Sequence, residues 1–378
     1  MHPTQTLGVV SHCLPPGHDG FTIMLRELLG AVPENRVALV GIGNDRWAGR
    51  ARVRLPIVRK PSRRSESIAA ALSTMGARWA AGYVLPRIFP NVRRVIATLD
   101  PTVGVAGRWA AAARADLWVY AIDLHATHFW GAAATLETTL ANWRREALAS
   151  AKRVFAISSK MADWLRADGV GGKIEVLPPL IDVPATGPAL PPAGRRSLLF
   201  CGWVYSAQGR ALSWVERAVA DMAPDFELRL LTHMAPADLA RLGLDVGRWT
   251  VLRANPEDVI AEVGRSTCSI VALDPEVSDP AARASLQVAF PTKLREYLSA
   301  GRPVLCIAPP DYGVADMANE GGWGIVCADE ASTREAVRRI ADSSTAQLAL
   351  LGEAAYRFAQ MYMDNRTVGA RFREQALQ

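Results

Sequence analysis

The stretch FPTKLREYLSAGRPVLC, residues 290–306, sets a lysine and a glutamate three positions apart in a short helical pattern. Pro291 and Thr292 stand where the pattern begins, and the free N–H groups and dipole of a helix start favour an anion. Lys293 adds a positive charge, and Glu296 can accept hydrogen bonds from neutral hydroxyls. Together, the helix start, the lysine and the glutamate could bind a ligand that contains a phosphate and a diol. The alternative is a plain crossover helix on which Lys293 and Glu296 form a surface ion pair.

A second group of titratable residues follows the apolar run LWVYAI: Asp123, His125 and His128. Polar groups beyond the carboxyl end of a strand suit a cleft site, because ligands of open α/β sheets bind at that edge. A structural role for each histidine is the alternative.

Gly20 follows the first apolar run, where its N–H could meet an anionic ligand. Asp19 precedes it, and a helix N-cap is the alternative role for that carboxylate. Two other glycine-containing motifs fail. GIGNDR, residues 41–46, has arginine at the third glycine position of a dinucleotide fingerprint, and GVGGKI, residues 169–174, lacks the first glycine and the Ser or Thr of a P-loop.

Apolar runs rich in β-formers alternate with helical patterns along the whole chain. There are six in each half: LGVVSH (7–12), RVALVGIG (36–43), RRVIATLD (93–100), LWVYAIDL (117–124), RVFAISS (153–159) and KIEVLPP (173–179), then SLLFCGW (197–203), FELRLLTH (226–233), RWTVLR (248–253), CSIVALD (268–274), RPVLCIA (302–308) and WGIVCAD (323–329). This alternation of strand and helix patterns predicts an α/β fold of two Rossmann-like, doubly wound parallel-sheet domains that face a cleft.

The proline-rich segment around residues 183–194 carries little that could pack, which is typical of a linker. We therefore expect domains over 1–182 and 195–344. The tail, 345–378, has helical patterning and could cross back to the N-terminal domain.

The composition excludes several classes of protein. No apolar run reaches the roughly 18 residues of a membrane span, and the N-terminus does not resemble a signal peptide, so we expect a cytoplasmic protein. The five cysteines have no paired spacing, which favours buried thiols over disulfides or a zinc site.

Positive charge is concentrated in the first half. Residues 1–182 carry a formal charge of +9 and the rest −3, and the excess is densest in ARVRLPIVRKPSRR, residues 51–64. A solvated loop is one interpretation; attraction to an anionic membrane surface or a phosphate-bearing substrate is the other. No nucleic-acid motif accompanies the charge, so we expect no nucleic-acid partner.

The stretch PTKLREYLSAGRPV resembles the donor-site motif of GT-B glycosyltransferases, specifically family 4. LPPGHDGF (14–21), VYAIDLHATHF (119–129), KRVFAISSKMADWL with KIEVLPPLID, and PPDYGVADMANEGGWGIVCAD resemble other segments of that family in the same order. The resemblance implies donor binding by the residues that match its donor motifs: Gly20, Gly202, Pro291, Thr292, Lys293, Glu296 and Tyr312. It implies catalytic roles for Asp123 and His125 and acceptor contacts for Asp19 and His128.

The chain departs from the family pattern at the phosphate clamp. The family's first glutamate, eight positions before the second, corresponds to Val288, and Trp203 and Gln208 occupy places where Arg and Lys are frequent. Lys293, Arg210 or Arg295 could take over the diphosphate. Tyr205 and Asp311 are further donor-side candidates.

The resemblance implies a hexosyltransferase that moves a sugar from a nucleotide-diphosphate donor to an acceptor hydroxyl with retention, without a metal or other cofactor. The acceptor would be a polysaccharide precursor, a glycolipid or a natural product. The basic charge of the first half would give the protein a peripheral contact with an anionic membrane. Alternatives are another GT-B activity, such as a nucleotide-sugar epimerase or an inverting transferase, and a non-catalytic sugar-nucleotide-binding module.

Overall fold

The computed structural model describes residues 6–11, 20–30, 32–42, 53–55, 75–100, 103–124, 134–188, 190–192, 194–222, 226–255, 258–274 and 276–378. The chain forms two compact units. The first comprises Met1–Pro178 and Gly369–Gln378, and the second comprises Pro179–Val368. The proline-rich segment 183–194 belongs to the second unit.

The first unit is built on a parallel sheet of seven strands in the order β3-β2-β1-β4-β5-β6-β7. The strands are β1 (Leu7–Ser11), β2 (Val37–Ile42), β3 (Val53–Leu55), β4 (Arg94–Thr98), β5 (Asp116–Ala121), β6 (Arg153–Ala156) and β7 (Lys173–Val176). All six strands predicted for this unit are present, and the basic run 51–64 adds a seventh, β3, that was not predicted. That strand has only three residues, too few to show a hydrophobic period.

Helices connect these strands: α1 (Gly20–Leu29), α2 (75–83), α3 (Leu85–Ile88), α4 (Val103–Ala113), α5 (Ala134–Ser150) and α6 (Ser159–Ala167), with a 3-10 turn at Glu34–Arg36. The central strands are buried, as the continuous apolar runs predicted.

The second unit has a parallel sheet of six strands in the order β10-β9-β8-β11-β12-β13, which confirms all six predicted strands. They are β8 (Arg196–Cys201), β9 (Phe226–Leu231), β10 (Trp249–Leu252), β11 (Cys268–Ala272), β12 (Val304–Ile307) and β13 (Gly324–Cys327). The helices are α7 (Ser206–Ala220), α8 (Pro236–Arg241), α9 (Val259–Gly264), α10 (Pro280–Val288), α11 (Leu294–Ser299), α12 (Gly313–Gly321), α13 (Glu330–Asp342) and α14 (Thr345–Tyr362), with a 3-10 turn at Val246–Arg248.

The chain returns to the first unit at its end. After a π-helical turn, Asn365–Gly369, helix α15 (Ala370–Leu377) packs on the sheet of that unit. Phe372 is buried, with its ring centroid 5.7 Å from that of Trp118 and 5.1 Å from that of Phe155. The backbone carbonyl of Gln375 accepts a hydrogen bond from Arg94.

Candidate functional site

The second sheet opens where its strand order reverses. Strand β11 pairs with β8 only at Cys268↔Leu198 and Ser269↔Leu199, whereas β8 stays paired with β9 as far as Cys201. Beyond Leu199 the edge of β8 that faces β11 is therefore free of strand pairing. Such a reversal point, at the carboxyl ends of the strands, is where doubly wound folds bind ligands.

Helix α11 fills part of this opening. The backbone N–H of Cys201 donates to the buried hydroxyl of Tyr297 at 2.8 Å, and the N–H of Gly202 donates in the opposite direction to the carbonyl of Leu231 at 2.9 Å. Gly202 has a φ of +121°, which favours glycine because side chains strain this backbone conformation. The end of β8 thus fixes α11 beside Gly202.

Three predicted donor-side residues meet here. A methyl group added at Gly202 would lie 3.6 Å from Cγ of Lys293. The Nζ atom of Lys293 lies 3.3 Å from Oε1 of Glu296, and a nitrogen of Arg295 lies 3.1 Å from the same oxygen. Arg295 also donates to the carbonyl of Leu180 at 2.8 Å, so it orients Glu296 rather than facing a ligand.

The other oxygen of Glu296 has no such partner. Glu296 is only 5% exposed, and its Oε2 atom finds no hydrogen bond among the described residues. A buried polar atom left unpaired is destabilising by about 1 to 3 kcal/mol, and the cost is larger for a charged group such as this carboxylate. A hydroxyl donor from a ligand would satisfy this oxygen. The ion pair of Lys293 and Glu296 is therefore present but only partly at the surface, with the carboxylate buried and the lysine partly exposed.

The helix begins later than its proline suggests. The first helical residue is Leu294, and its N–H donates to the carbonyl of Pro291 at 2.8 Å, so Pro291 and Thr292 form a turn ahead of the helix. Gly301 follows the helix with a φ of +64°, a conformation in which glycine ends a helix without strain. Leu294, Tyr297 and Leu298 are buried.

The end of β11 contributes a carboxylate that the sequence analysis missed. Asp274 is buried across the opening from β8, where its Oδ1 accepts a hydrogen bond from the N–H of Glu276 at 2.9 Å. Arg210 pairs with Glu276 and lies 3.8 Å from Asp274, so it is engaged there. The rule applied to Asp123, a polar residue just beyond an apolar strand, would have found Asp274.

Tyr312 lies at the same end of the sheet. It is buried before α12, and its hydroxyl donates to the carbonyl of Asp274 at 3.4 Å. Burial raises the pKa of this phenol, so it stays protonated at neutral pH. The neighbouring Asp311 accepts hydrogen bonds from Gln287 at 2.6 Å and from Arg283 at 3.1 Å. Burial works to raise the pKa of Asp311, but these hydrogen bonds outweigh it and the pKa is lowered.

The residues of the loop that follows β8, and of the helix α7 after it, have separate roles. Trp203 and Tyr205 are exposed, whereas the side chain of Gln208 accepts a hydrogen bond from the N–H of Tyr205 at 2.9 Å and so caps α7. Of the proposed clamp residues, Lys293 is the cation that lies beside Gly202.

The first unit has its own polar group where its strand order reverses, between β1 and β4. Ser11, Thr98 and Asp100 are buried there. The Thr98 hydroxyl lies 3.3 Å from that of Ser11 and donates to the Asp100 carboxylate. The sequence analysis missed this group too, although each of its residues ends or follows an apolar run.

The remaining predicted residues belong to the first unit. Asp123 follows β5 and is half-buried, and Gly20 is the first residue of α1. Asp19, His125 and His128 lie outside the described residues.

Two features are absent from the described ranges. In those ranges no three His, Cys, Asp or Glu side chains come together as a metal ion would require. None of the helices found there is both long and apolar enough to cross a bilayer.

No family model matches the chain, and no curated protein matches its sequence. Solved structures do match its fold. The sucrose-phosphate synthase from Thermosynechococcus elongatus has a TM-score of 0.69 at 16% identity, over 98% of each chain. HepE from Anabaena, in complex with UDP-glucose, has a TM-score of 0.65 at 14% identity, over 98% of each chain. The UDP-forming α,α-trehalose-phosphate synthase from Burkholderia vietnamiensis has a TM-score of 0.63 at 12% identity, covering 99% of this chain and 98% of that one. The chain therefore has the two-domain α/β fold of GT-B glycosyltransferases.

Proposed function

We propose that the protein is a glycosyltransferase that moves a sugar from a nucleoside-diphosphate donor to an acceptor hydroxyl, with retention at the anomeric carbon. The observation that carries the proposal is the Glu296 carboxylate, buried at the reversal point of the second sheet. One of its oxygens is held by two cations, and the other has no partner among the residues that the structure describes. A ribose diol offers the hydroxyl donors that this oxygen lacks.

Lys293 is our candidate for the donor diphosphate. Its side chain lies between Gly202 and Glu296, and it is only partly buried, so its ammonium group can turn towards a phosphate. The leaving diphosphate gains negative charge as the glycosidic bond breaks, and a fixed cation stabilises that charge most in the transition state. Because Lys293 supplies this charge, we propose a reaction without a resident metal, with the backbone at Thr292 as a further contact.

The acceptor role falls to the first unit in this proposal. We assign to Asp123 and His125 the orientation of the acceptor hydroxyl, with Asp19 and His128 as acceptor contacts and Gly20 as a backbone contact to the donor. The acceptor class is a saccharide, glycolipid or natural product with a free hydroxyl. The trehalose-phosphate synthase is named as UDP-forming, and the HepE structure is a complex with UDP-glucose. Both names support testing uridine donors first.

The direct test is calorimetric titration with UDP-, GDP- and dTDP-sugars. We expect one of them to bind, and Glu296→Gln to weaken that nucleotide about tenfold or more, because a hydrogen bond to a charged acceptor is lost. Lys293→Ala should weaken it about tenfold through the loss of a charge-assisted phosphate contact.

Glu335→Gln and Lys152→Ala are the matched controls, since both side chains are exposed and lie away from the site. Both should bind like the wild type. Binding that is unchanged in Glu296→Gln and Lys293→Ala would refute the assignment of the donor site.

Retention is tested separately by the anomeric configuration of the product. With the donor identified, NMR of the product formed with a panel of hydroxyl acceptors should show the donor's anomeric configuration. An inverted product, or epimerisation of the donor without any acceptor, would instead support the other activities considered above.

A further inference from the structure

A stripe of large apolar side chains lies exposed on the first unit. Met75, Trp79 and Tyr83 are spaced four positions apart on α2 and therefore share one face of that helix. Trp79 is 61% exposed and Tyr83 is 46% exposed, and their ring centroids are 5.5 Å apart. Ile88, at the end of α3, is also exposed. We call these four residues the aromatic stripe.

The opposite face of α2 is the one that packs against the rest of the first unit. Ala77 and Ala81 are buried, so the helix packs through its small residues and presents its large ones to solvent. This reverses the usual arrangement, in which large apolar side chains face the core. Single exposed apolar residues are ordinary, but two exposed aromatic rings in contact, with an exposed methionine one turn earlier on the same helix face, indicate an interaction surface.

Positive charge borders the aromatic stripe. Arg87 donates to the carbonyl of Tyr83, and the guanidinium carbon of Arg108, on α4, lies 5.9 Å from the centre of the Tyr83 ring. Arg108 also covers the backbone of Gly82. Both arginines are exposed.

The surrounding sequence contains almost no negative charge. Residues 67–99 include four arginines and no Asp or Glu. Arg78 pairs with Glu146 and Arg94 with Asp116, so the positive charge beside the aromatic stripe is that of Arg87 and Arg108. A protein partner could match such a surface only with an acidic, apolar patch. An anionic bilayer offers both features everywhere along its surface, with apolar chains beneath negative headgroups.

We propose that the aromatic stripe docks the first unit onto an anionic lipid surface. Trp79 and Tyr83 would enter the headgroup layer, where amphipathic rings are favoured, and Arg87 and Arg108 would face the lipid phosphates. This surface lies after the basic run 51–64 in the chain, and the inference does not depend on the transfer reaction proposed above.

The test is co-sedimentation of the full chain with vesicles of phosphatidylcholine, alone or with about 30% phosphatidylglycerol, at about 50 and 500 mM NaCl. We expect binding to the anionic vesicles at low salt and much less to the neutral ones. Trp79→Ala with Tyr83→Ala should weaken it at least tenfold, and Arg87→Gln with Arg108→Gln by about fivefold per charge.

The controls separate docking from folding. Tyr362→Ala removes a tyrosine of the second unit with 47% exposure, close to that of Tyr83, and should leave vesicle binding unchanged. Thermal unfolding of the stripe variants should match the wild type, since the altered side chains are exposed.

Two results would overturn the proposal. One is no sedimentation with anionic vesicles at low salt, or sedimentation that the stripe variants leave intact. The other is a concentration-dependent dimer of the wild type that Trp79→Ala abolishes without any vesicle binding, because a second copy of the chain would then cover the stripe.

Discussion

At the residue scale, the candidate site depends on a hydroxyl that replaces a missing strand partner. The N–H of Cys201 points towards β11, which no longer pairs with β8 at that position, and Tyr297 accepts its hydrogen bond instead. One phenol thereby closes a gap in the sheet and fixes the helix that carries Lys293 and Glu296.

Tyr297→Phe should therefore lower the free energy of unfolding by about 1 to 3 kcal/mol, the usual effect of leaving a buried donor unpaired. Urea denaturation measures this change. Tyr362→Phe is the matched control, because that ring is half exposed, and it should change stability little. Equal stability of Tyr297→Phe and wild type would contradict the role given to the hydroxyl.

Four thiols of the second unit are buried and unpaired, which confirms the interpretation of the cysteines for these positions: Cys201, Cys268, Cys306 and Cys327. Burial raises the pKa of Cys201 and Cys268 to about 12 and that of Cys327 to about 11. The thiolate, which is the reactive form, is therefore scarce at neutral pH.

We expect none of these four thiols to react with Ellman's reagent in the native protein at about pH 8, and all four to react after denaturation. The measurement uses a Cys13→Ser variant, because Cys13 lies outside the described residues and its removal leaves these four thiols to react. Stoichiometric labelling of that variant in the native state would show that the second unit opens readily.

At the element scale, Glu216 on α7 ties that helix to β10. Its Oε1 accepts hydrogen bonds from the indole N–H of Trp249 and, at 3.0 Å, from the N–H of Asp245. It also lines a cavity of about 260 Å³ with Arg195 and Arg248, at the amino ends of the strands and so at the edge opposite the candidate site.

Burial raises the pKa of Glu216, although its two hydrogen bonds work in the opposite direction. The folded chain then holds this proton more tightly than the unfolded chain. Protonated Glu216 therefore contributes to the free energy of unfolding. This contribution is fully present below the ordinary glutamate pKa of about 4.3 and is lost as the pH rises through the pKa of Glu216 in the folded chain.

Glu216→Gln should remove this dependence while it keeps the acceptor oxygen. We expect the variant to lose less stability than the wild type between about pH 4 and pH 7, as measured by urea denaturation across that range. Glu335→Gln, at an exposed position, should follow the wild-type curve. Parallel curves for Glu216→Gln and wild type would contradict the raised pKa.

The order of elements could be predicted well from the sequence, and the details of the site could not. Buried parallel strands are continuous apolar runs, so twelve of the thirteen strands were visible, and β3 was too short to be seen. The sequence also placed Lys293 and Glu296 at one helix. The sequence could not show that Arg295 donates a hydrogen bond to Glu296, because both residue types are also common on the exposed face of a helix.

At the scale of the whole molecule, the chain completes its first unit with its last residues. Helix α15 supplies Phe372, which packs against Trp118 and Phe155, and the guanidinium groups of Arg94 and Arg153 lie over the Trp118 ring. The first sheet therefore packs against a helix that follows the whole second unit in the chain.

Phe372→Ala should lower the free energy of unfolding by about 3 kcal/mol or more, through lost burial and the cavity left behind. Denaturation followed by near-UV circular dichroism would measure this loss and report on the aromatic cluster. Arg371→Ala, at the exposed neighbouring position of α15, should have little effect. A similar small effect of Phe372→Ala would mean that α15 contributes little to the first unit.

The sequence by itself determined twelve of the thirteen strands and the spacing that sets Lys293 beside Glu296, because these follow from local hydrophobic and helical periods. Only the tertiary structure decided that β11 leaves β8 early, that Tyr297 fills the gap and that one oxygen of Glu296 has no partner within the described part of the chain. These contacts join residues up to about a hundred positions apart, and no local pattern encodes where such distant segments meet.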